Sequence, residues 1–188
     1  MAEGEQPCEE NAERARELRA EAGYPNGEGF PKLTYNYPTL EMDSDTAQVI
    51  KEQLKENLNI DIELKAQELQ ANYSGRYAGD FDLCRMNWTA DFADPYTYLS
   101  MLLSNSTYNC SGIHDEEYDA IVEASNSEQD PEARSGLLHQ AEQRAVGEQF
   151  YIIPLYAMKS VNLVNPEITG LRQIPASGAL EYRYADIG

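Results

Sequence analysis

Between Leu33 and Trp88 the spacing of apolar residues switches repeatedly between two and about 3.6, and that switching leaves few architectures open to the chain. Leu33, Tyr35 and Tyr37 alternate with polar residues, as in a half-buried strand. Ala47, Ile50, Leu54 and Leu58 then share one helical face, with Asp43-Ser44-Asp45 as N-cap candidates in front of them. Ile60, Ile62 and Leu64 alternate with Asp61, Glu63 and Lys65 in a second strand. A further helix is expected over about Leu69 to Tyr77. After a turn at Gly79-Asp80, the run Phe81 to Trp88 suits a mostly buried strand. Strands alternating with helices in this order favour an α/β fold with a mainly parallel sheet flanked by helices.

The flanking segments read mostly as helix. Ala12, Ala15, Leu18 and Ala22 form a thin apolar stripe that ends at Gly23, and Tyr24 to Pro31 is punctuated as a long turn. Asp94-Pro95 pairs a capping acid with a proline at the first helical position, opening a helix through Tyr96, Leu99, Leu102 and Leu103. Tyr118, Ile121 and Val122 mark the next helix. Asp130-Pro131 opens another, with Ala133, Leu137, Leu138, Ala141 and Ala145 expected to face inward. Phe150 to Tyr156 reads as a strand interrupted by Pro154, hence an edge or a bulge. The stretch Val161 to Gly188 reads as short strands separated by Asn165-Pro166, Gly170, Pro175 and Gly178.

Charge narrows the range of functions. The 188 residues carry 33 Asp plus Glu against 14 Lys plus Arg, a formal charge of -19, so a nucleic-acid backbone or an anionic membrane would be repelled. No apolar run approaches the roughly 20 residues of a bilayer span, and the acidic start from Met1 to Glu10 has neither a basic flank nor an apolar core of a signal segment. The expectation is a soluble chain carrying no address of its own. Cys8, Cys84 and Cys110 are too few and too scattered for a disulfide framework or a metal knuckle. The sequons at Asn72, Asn87, Asn105 and Asn109 are best explained by chance in a chain rich in Asn and Ser.

Catalytic and cofactor signatures are missing from the sequence. It contains no G-x-S-x-G, no H-E-x-x-H, no phosphate loop and no dinucleotide fingerprint, so neither catalytic residues nor a cofactor are expected. His114 and His139 read as solvated positions beside helical polar residues. Asp43-Ser44-Asp45 begins like a calcium loop, but Gln48 and Leu54 stand where Gly and Glu are needed, so no metal site is expected. The informative stretch is Phe81 to Pro95: a strand ends in Trp88, an acid follows at Asp91, and a capped helix begins. Ligands bind at the carboxyl ends of strands in open α/β sheets. There Trp88 would supply an apolar wall and Asp91 a carboxylate for a cation, unless Trp88 is simply core and Asp91 caps a turn.

The residues from Asp80 to Asn109 carry a resemblance. Phe81-Asp82-Leu83, Arg85, Trp88-Thr89-Ala90-Asp91, Asp94-Pro95, Tyr98-Leu99 and Leu103-Ser104-Asn105-Ser106 resemble the cleft-lining segment of extracytoplasmic oligopeptide-binding proteins of ABC transporters, the family 5 solute-binding proteins. The likeness extends back through Ala20 to Gly27 and forward through Ala141-Glu142-Gln143 and Ile152 to Tyr156. Family members are longer, two-lobed proteins of the type II periplasmic-binding-protein class. The resemblance therefore implies an incomplete lobe: residues 1–160 as part of the carboxyl-terminal ligand-binding lobe, and 161–188 as a segment that crosses back to the missing first lobe. Apolar surface that the missing parts would cover is expected to be exposed.

The same resemblance implies a role for each residue. Asp91 would meet the α-ammonium of an oligopeptide, Trp88 would wall a side-chain pocket, and Asn87, Thr89 and Ala90 would run beside the peptide backbone. Arg76 and Arg85 fall at basic positions that in some members meet a ligand carboxylate; the plainer reading is ion pairing with Asp80 or Asp82. Asn105 falls at a polar cleft position, and Leu69 stands where an aromatic is common, which would reshape that pocket. The implied partners are the oligopeptide, the permease subunits and the first lobe. The implied location is extracytoplasmic, in a periplasm or as a cell-surface lipoprotein, with no reaction performed. Receptors for dipeptides or peptide pheromones, an acidic secreted hydrolase and an acidic interaction domain are the other readings.

Overall fold

A computed structural model describes residues 8–159, 161–174 and 177–187, so Met1 to Pro7 and Pro175 lie outside the described residues. The chain divides after Met86 into two compact units.

In the first unit α1 (Cys8–Glu21) precedes β1 (Leu33–Pro38), α2 (Glu41–Leu58), β2 (Ile62–Gln67), α3 (Leu69–Tyr77) and β3 (Leu83–Cys84). The strands form a three-stranded sheet in the order β2-β1-β3, and both pairings are parallel. This is the expected α/β arrangement. Tyr35, Asn36, Tyr37 and Pro38 are buried in succession, so β1 is covered on both faces and is not the half-buried strand its alternation suggests. Tyr35, Tyr37, Ala47, Ile60 and Ile62 form the apolar core, with Ile50, Leu54 and Leu58 of α2 packed against it. α3 turns a different face inward, since its buried residues are Asn72 and Arg76.

Two expectations for this unit are corrected. Asp43-Ser44-Asp45 does not cap α2, because the helix begins at Glu41 and those residues lie within its first turns. The strand expected over Phe81 to Trp88 pairs only at Leu83 and Cys84, opposite Tyr35 and Asn36. Its last ladder bond runs from the Arg85 N–H to the Asn36 carbonyl at 2.8 Å. In a parallel ladder the next donor on that side of β1 would be residue 38, and Pro38 has no N–H to give.

The end of α2 is closed by residues distant in sequence. Arg16 donates to the Asn57 carbonyl at 2.8 Å and Arg19 donates to the Leu58 carbonyl, placing cations at the negative end of the helix. Asn59 takes the left-handed conformation at φ 50°, and its side chain donates to the Asn26 carbonyl at 2.8 Å. Gly27, at φ 79°, lies so close that an added Cβ would sit 2.6 Å from the Asn59 oxygen.

In the second unit α4 (Tyr96–Leu99) runs into a short 3-10 turn, followed by α5 (Glu116–Ser127) and α6 (Pro131–Glu142), which continues as a π-helical segment to Glu148. Leu99, Leu102, Leu103, Tyr118, Ile121, Val122, Leu138, Ala141 and Ala145 make its core. Asp130 caps α6 as expected, accepting from the Ala133 N–H at 2.8 Å, but Ala133 itself is exposed because the first turn overhangs the core. Phe150 to Tyr156 forms no strand, and Ile153, Leu155 and Tyr156 are exposed. Beyond it, β4 (Ile168–Thr169) pairs antiparallel with β7 (Asp186–Ile187), and β5 (Arg172–Gln173) with β6 (Leu180–Glu181), one pair nested inside the other.

One carboxylate organises the helices of this unit. Asp115 caps α5 by accepting from the Glu117 and Tyr118 N–H groups at 3.1 Å. It also accepts from Arg144 at 2.6 and 3.0 Å and from the Tyr151 hydroxyl at 2.6 Å. The Arg144 guanidinium, with Tyr151 and the helix N–H groups behind it, holds this carboxyl well below the usual carboxylate range. Arg144 also meets Glu117 at 2.9 Å.

Two outcomes are expected. Gly27→Ala should destabilise the first unit by about 2–3 kcal/mol, more than Gly23→Ala, since both positions have positive φ but only Gly27 abuts backbone; urea unfolding of the two variants measures the difference. Asp115 has a folded value below its unfolded value of about 3.9, so its contribution is complete above roughly pH 5 and is lost as pH falls towards the folded value. Asp115→Asn should therefore lower the second unit's Tm at pH 7 and flatten its decline between pH 5 and 3, as read by calorimetry.

Candidate functional site

The expected site residues fall in both units, and each group is described within its own. In the first, Leu69 opens α3 and is 38% exposed, so its side chain is available at the surface. Arg76 lies two turns along the same helix and is buried. Its guanidinium stacks over the Tyr73 ring at 4.8 Å and the Tyr77 ring at 5.7 Å. It forms no ion pair among the described residues, so the expected partners Asp80 and Asp82 do not hold it. Asp80 instead offers its carbonyl to the Asn36 side chain at 3.0 Å, and Asp82 accepts from the Thr34 N–H at 2.8 Å.

Arg85 follows β3, and its Nε meets Asp43 of α2 at 3.1 Å with both side chains largely shielded. A second guanidinium nitrogen donates to the Met86 carbonyl. The acids expected to cap α2 thus include one that anchors an arginine 42 positions away, a pairing that only the β1-α2-β2 crossover brings about. Cys84 and Cys110 are both thiols.

In the second unit, Asn87, Thr89, Asp91 and Asn105 are exposed, while Trp88 and Ala90 are half-buried. Residues 87–90 lie outside any helix or ladder, and no backbone hydrogen bond joins them to the rest of the chain among the described residues. The Asp91 carboxylate likewise has no ion pair or hydrogen bond among those residues. Its backbone N–H donates to the Thr97 hydroxyl at 3.3 Å, and the Trp88 indole Nε1 approaches the same oxygen at 3.5 Å. Trp88 also meets Tyr108 edge-on, with ring centroids 4.7 Å apart.

The rigidity of this corner starts at Asp94-Pro95. Asp94 accepts from the Tyr96 N–H at 2.9 Å, closing the first turn of α4 as the dipeptide predicts. It also receives both guanidinium nitrogens of Arg134 at 2.8 and 3.0 Å, while the Arg134 Nε donates to the Ser125 carbonyl at 2.9 Å. This forked contact holds the Asp94 carboxyl below its ordinary range. One arginine thus ties the start of α4 to the end of α5. The loop that carries Tyr108 is closed by Asn109, whose side chain donates to the Leu103 and Ile113 carbonyls at 3.2 and 2.7 Å and accepts from the Ile113 N–H at 3.0 Å.

Sequence reasoning missed Thr97 and Tyr108. The only signal for Thr97 was its place two residues past the Asp94-Pro95 helix start; Tyr108 carried none, because aromatic contacts across a loop leave no periodicity. His139 is exposed on α6, with its Nδ1 2.8 Å from the Ser135 carbonyl, and His114 is exposed in the loop before α5. Among the described residues no group of His, Cys, Asp and Glu could hold a metal ion, and no helix is long and apolar enough to cross a membrane. The arrangement can offer a carboxylate to a cation, an aromatic wall to an apolar group and backbone groups outside any ladder to another chain.

Residues 2–110 match the family described as bacterial extracellular solute-binding proteins, family 5 Middle. The periplasmic murein peptide-binding protein MppA of Escherichia coli is 32% identical over 163 residues, which are 86% of this chain and 30% of that protein. The dipeptide-binding protein DppE of Bacillus subtilis is 29% identical over 157 residues, 84% of this chain and 28% of its own length. Among solved structures, that of Escherichia coli MppA superposes with a TM-score of 0.86 at 29% identity, covering 97% of this chain and 36% of the other. Haemophilus influenzae OppA in complex with the peptide RPPGFSPFR gives 0.82, again at 29% identity with 97% and 36% covered. The chain thus has the type II periplasmic-binding-protein fold in part, and spans under a third of the length of these curated relatives. The parallel sheet, the acid beyond Trp88 and the match over residues 2–110 converge: the chain belongs to the bacterial extracellular solute-binding proteins of family 5.

Proposed function

We propose that this chain supplies part of the ligand-binding lobe of an oligopeptide receptor that serves an ABC importer. The observation that carries the reading is that, among the described residues, the backbone of Asn87 to Ala90 joins no ladder and leads directly into an Asp91 carboxylate without a partner. An extended peptide can add to such a backbone as a further strand, and its amino terminus can meet the carboxylate. A shielded charge-assisted contact of this kind contributes about 1.5–3 kcal/mol and fixes the ligand's register. The relatives, a dipeptide-binding, a murein peptide-binding and an oligopeptide-binding protein, support the same ligand class.

In this reading Trp88 walls a side-chain pocket, and Asn105 adds a polar group to the cleft. Leu69 leaves its own pocket wider than an aromatic would. Arg76 and Arg85 act on a ligand carboxylate only if the stacking on Tyr73 and Tyr77 and the pairing with Asp43 are exchanged for it. Residues 1–160 serve in the carboxyl-terminal lobe and 161–188 return to the first lobe. The exposed Ile153, Leu155 and Leu163 fit surface covered by parts of the receptor outside this chain. The receptor catalyses nothing; it closes around a peptide outside the cytoplasm and presents it to the permease.

Isothermal titration with a mixed tri- to pentapeptide pool tests the shared cleft: the 188-residue chain alone should bind weaker than micromolar, and micromolar binding would contradict the reading. In a receptor that includes the first lobe, Asp91→Ala should weaken peptide affinity by on the order of 10- to 100-fold. An unchanged affinity there would remove the ammonium contact from the account.

A further inference from the structure

We propose that Thr97 is the positioning residue of the site, its hydroxyl setting the Trp88 indole and the Asp91 backbone in fixed relation so that pocket wall and carboxylate act as one unit. The proposal rests on the peptide-binding reading of Trp88 and Asp91, but its geometry stands apart from any ligand. Thr97 is 3% exposed, and its Oγ1 accepts from the Asp91 N–H at 3.3 Å and from the Trp88 Nε1 at 3.5 Å. Each contact is long and weak taken singly. What matters is that one oxygen serves both, which a hydroxyl with two lone pairs can do and a methyl cannot.

The oxygen is itself held in place. Thr97 belongs to α4, whose first turn is closed by Asp94, and Asp94 is clamped by both guanidinium nitrogens of Arg134. The indole also has an edge contact with Tyr108, at 4.7 Å between ring centroids. The indole is therefore fixed at its N–H and against its ring, while the Asp91 carboxylate remains exposed. Moving α4 would move both binding groups together. Losing the Thr97 hydroxyl would let them move separately, and a site that recognises an amino terminus and the adjoining side chain depends on their separation.

Trp88 is the only tryptophan in the chain, so intrinsic fluorescence reports on this residue alone. Thr97→Val keeps the shape of the side chain and removes the acceptor, whereas Thr97→Ser keeps the acceptor. In the 188-residue chain, Thr97→Val should shift the emission maximum, speed the anisotropy decay and raise acrylamide quenching, and Thr97→Ser should restore wild-type values. A folded Thr97→Val chain with wild-type emission, anisotropy and quenching overturns the proposal. Should Thr97→Val fail to fold, hydrogen exchange of the Trp88 indole N–H in the wild-type chain decides: protection supports the proposal, and exchange at the rate of a free indole overturns it. In a receptor that includes the first lobe, Thr97→Val should weaken binding of the tri- to pentapeptide pool by roughly fivefold. A fluorescence change in Thr97→Val together with no peptide binding by that receptor upholds the Thr97 coupling and counts against the peptide reading alone.

Discussion

The absence of an N–H at Pro38 removes the next donor on the side of the central strand that faces β3. β1 is the central strand, and its even-numbered residues bond towards β3, so the ladder that begins at Leu83 can extend only as far as the Arg85 N–H. Past that bond the chain lies outside any ladder through Ala90. Backbone groups that no strand of their own sheet uses are the raw material for binding another chain by strand addition.

In the second unit two carboxylates tie the helices together alongside the apolar core. Asp94 and Asp115 each combine helix capping with an arginine fork, and in both cases the arginine comes from α6 or its π-helical continuation. A carboxylate that accepts helix N–H groups and a guanidinium has its lone pairs used, which makes the geometry specific in a way that an apolar contact does not. Asp91 differs from both. Exposed and without a partner among the described residues, it remains available to a ligand.

Much of this was legible in the sequence. The α/β alternation, the extent of α3, the Asp130 cap and the Asp94-Pro95 helix start all follow from local rules, because capping and periodicity are short-range effects. The errors share a cause. Phe81 to Trp88 has the composition of a buried strand but pairs at two residues, and Asp43 looks like a cap but holds Arg85, because ladder length and ion-pair partners depend on distant residues. Ala133 keeps the helical period of its neighbours yet stays exposed, since periodicity gives a face and not where that face runs out of core.

By itself the sequence determined the order of the main helices and of β1 and β2, the formal charge of -19, and the family signature around the lone tryptophan, since all of these are written in residue order and spacing. Tertiary structure alone decided that Arg76 stacks on its own helix's tyrosines, that Arg85 is committed to Asp43, and that one threonine hydroxyl joins Trp88 to Asp91. The physical reason is that a side chain's partner is chosen by which elements pack beside it. A crossover helix or a four-residue helix brings together atoms whose separation along the chain says nothing about their distance in space.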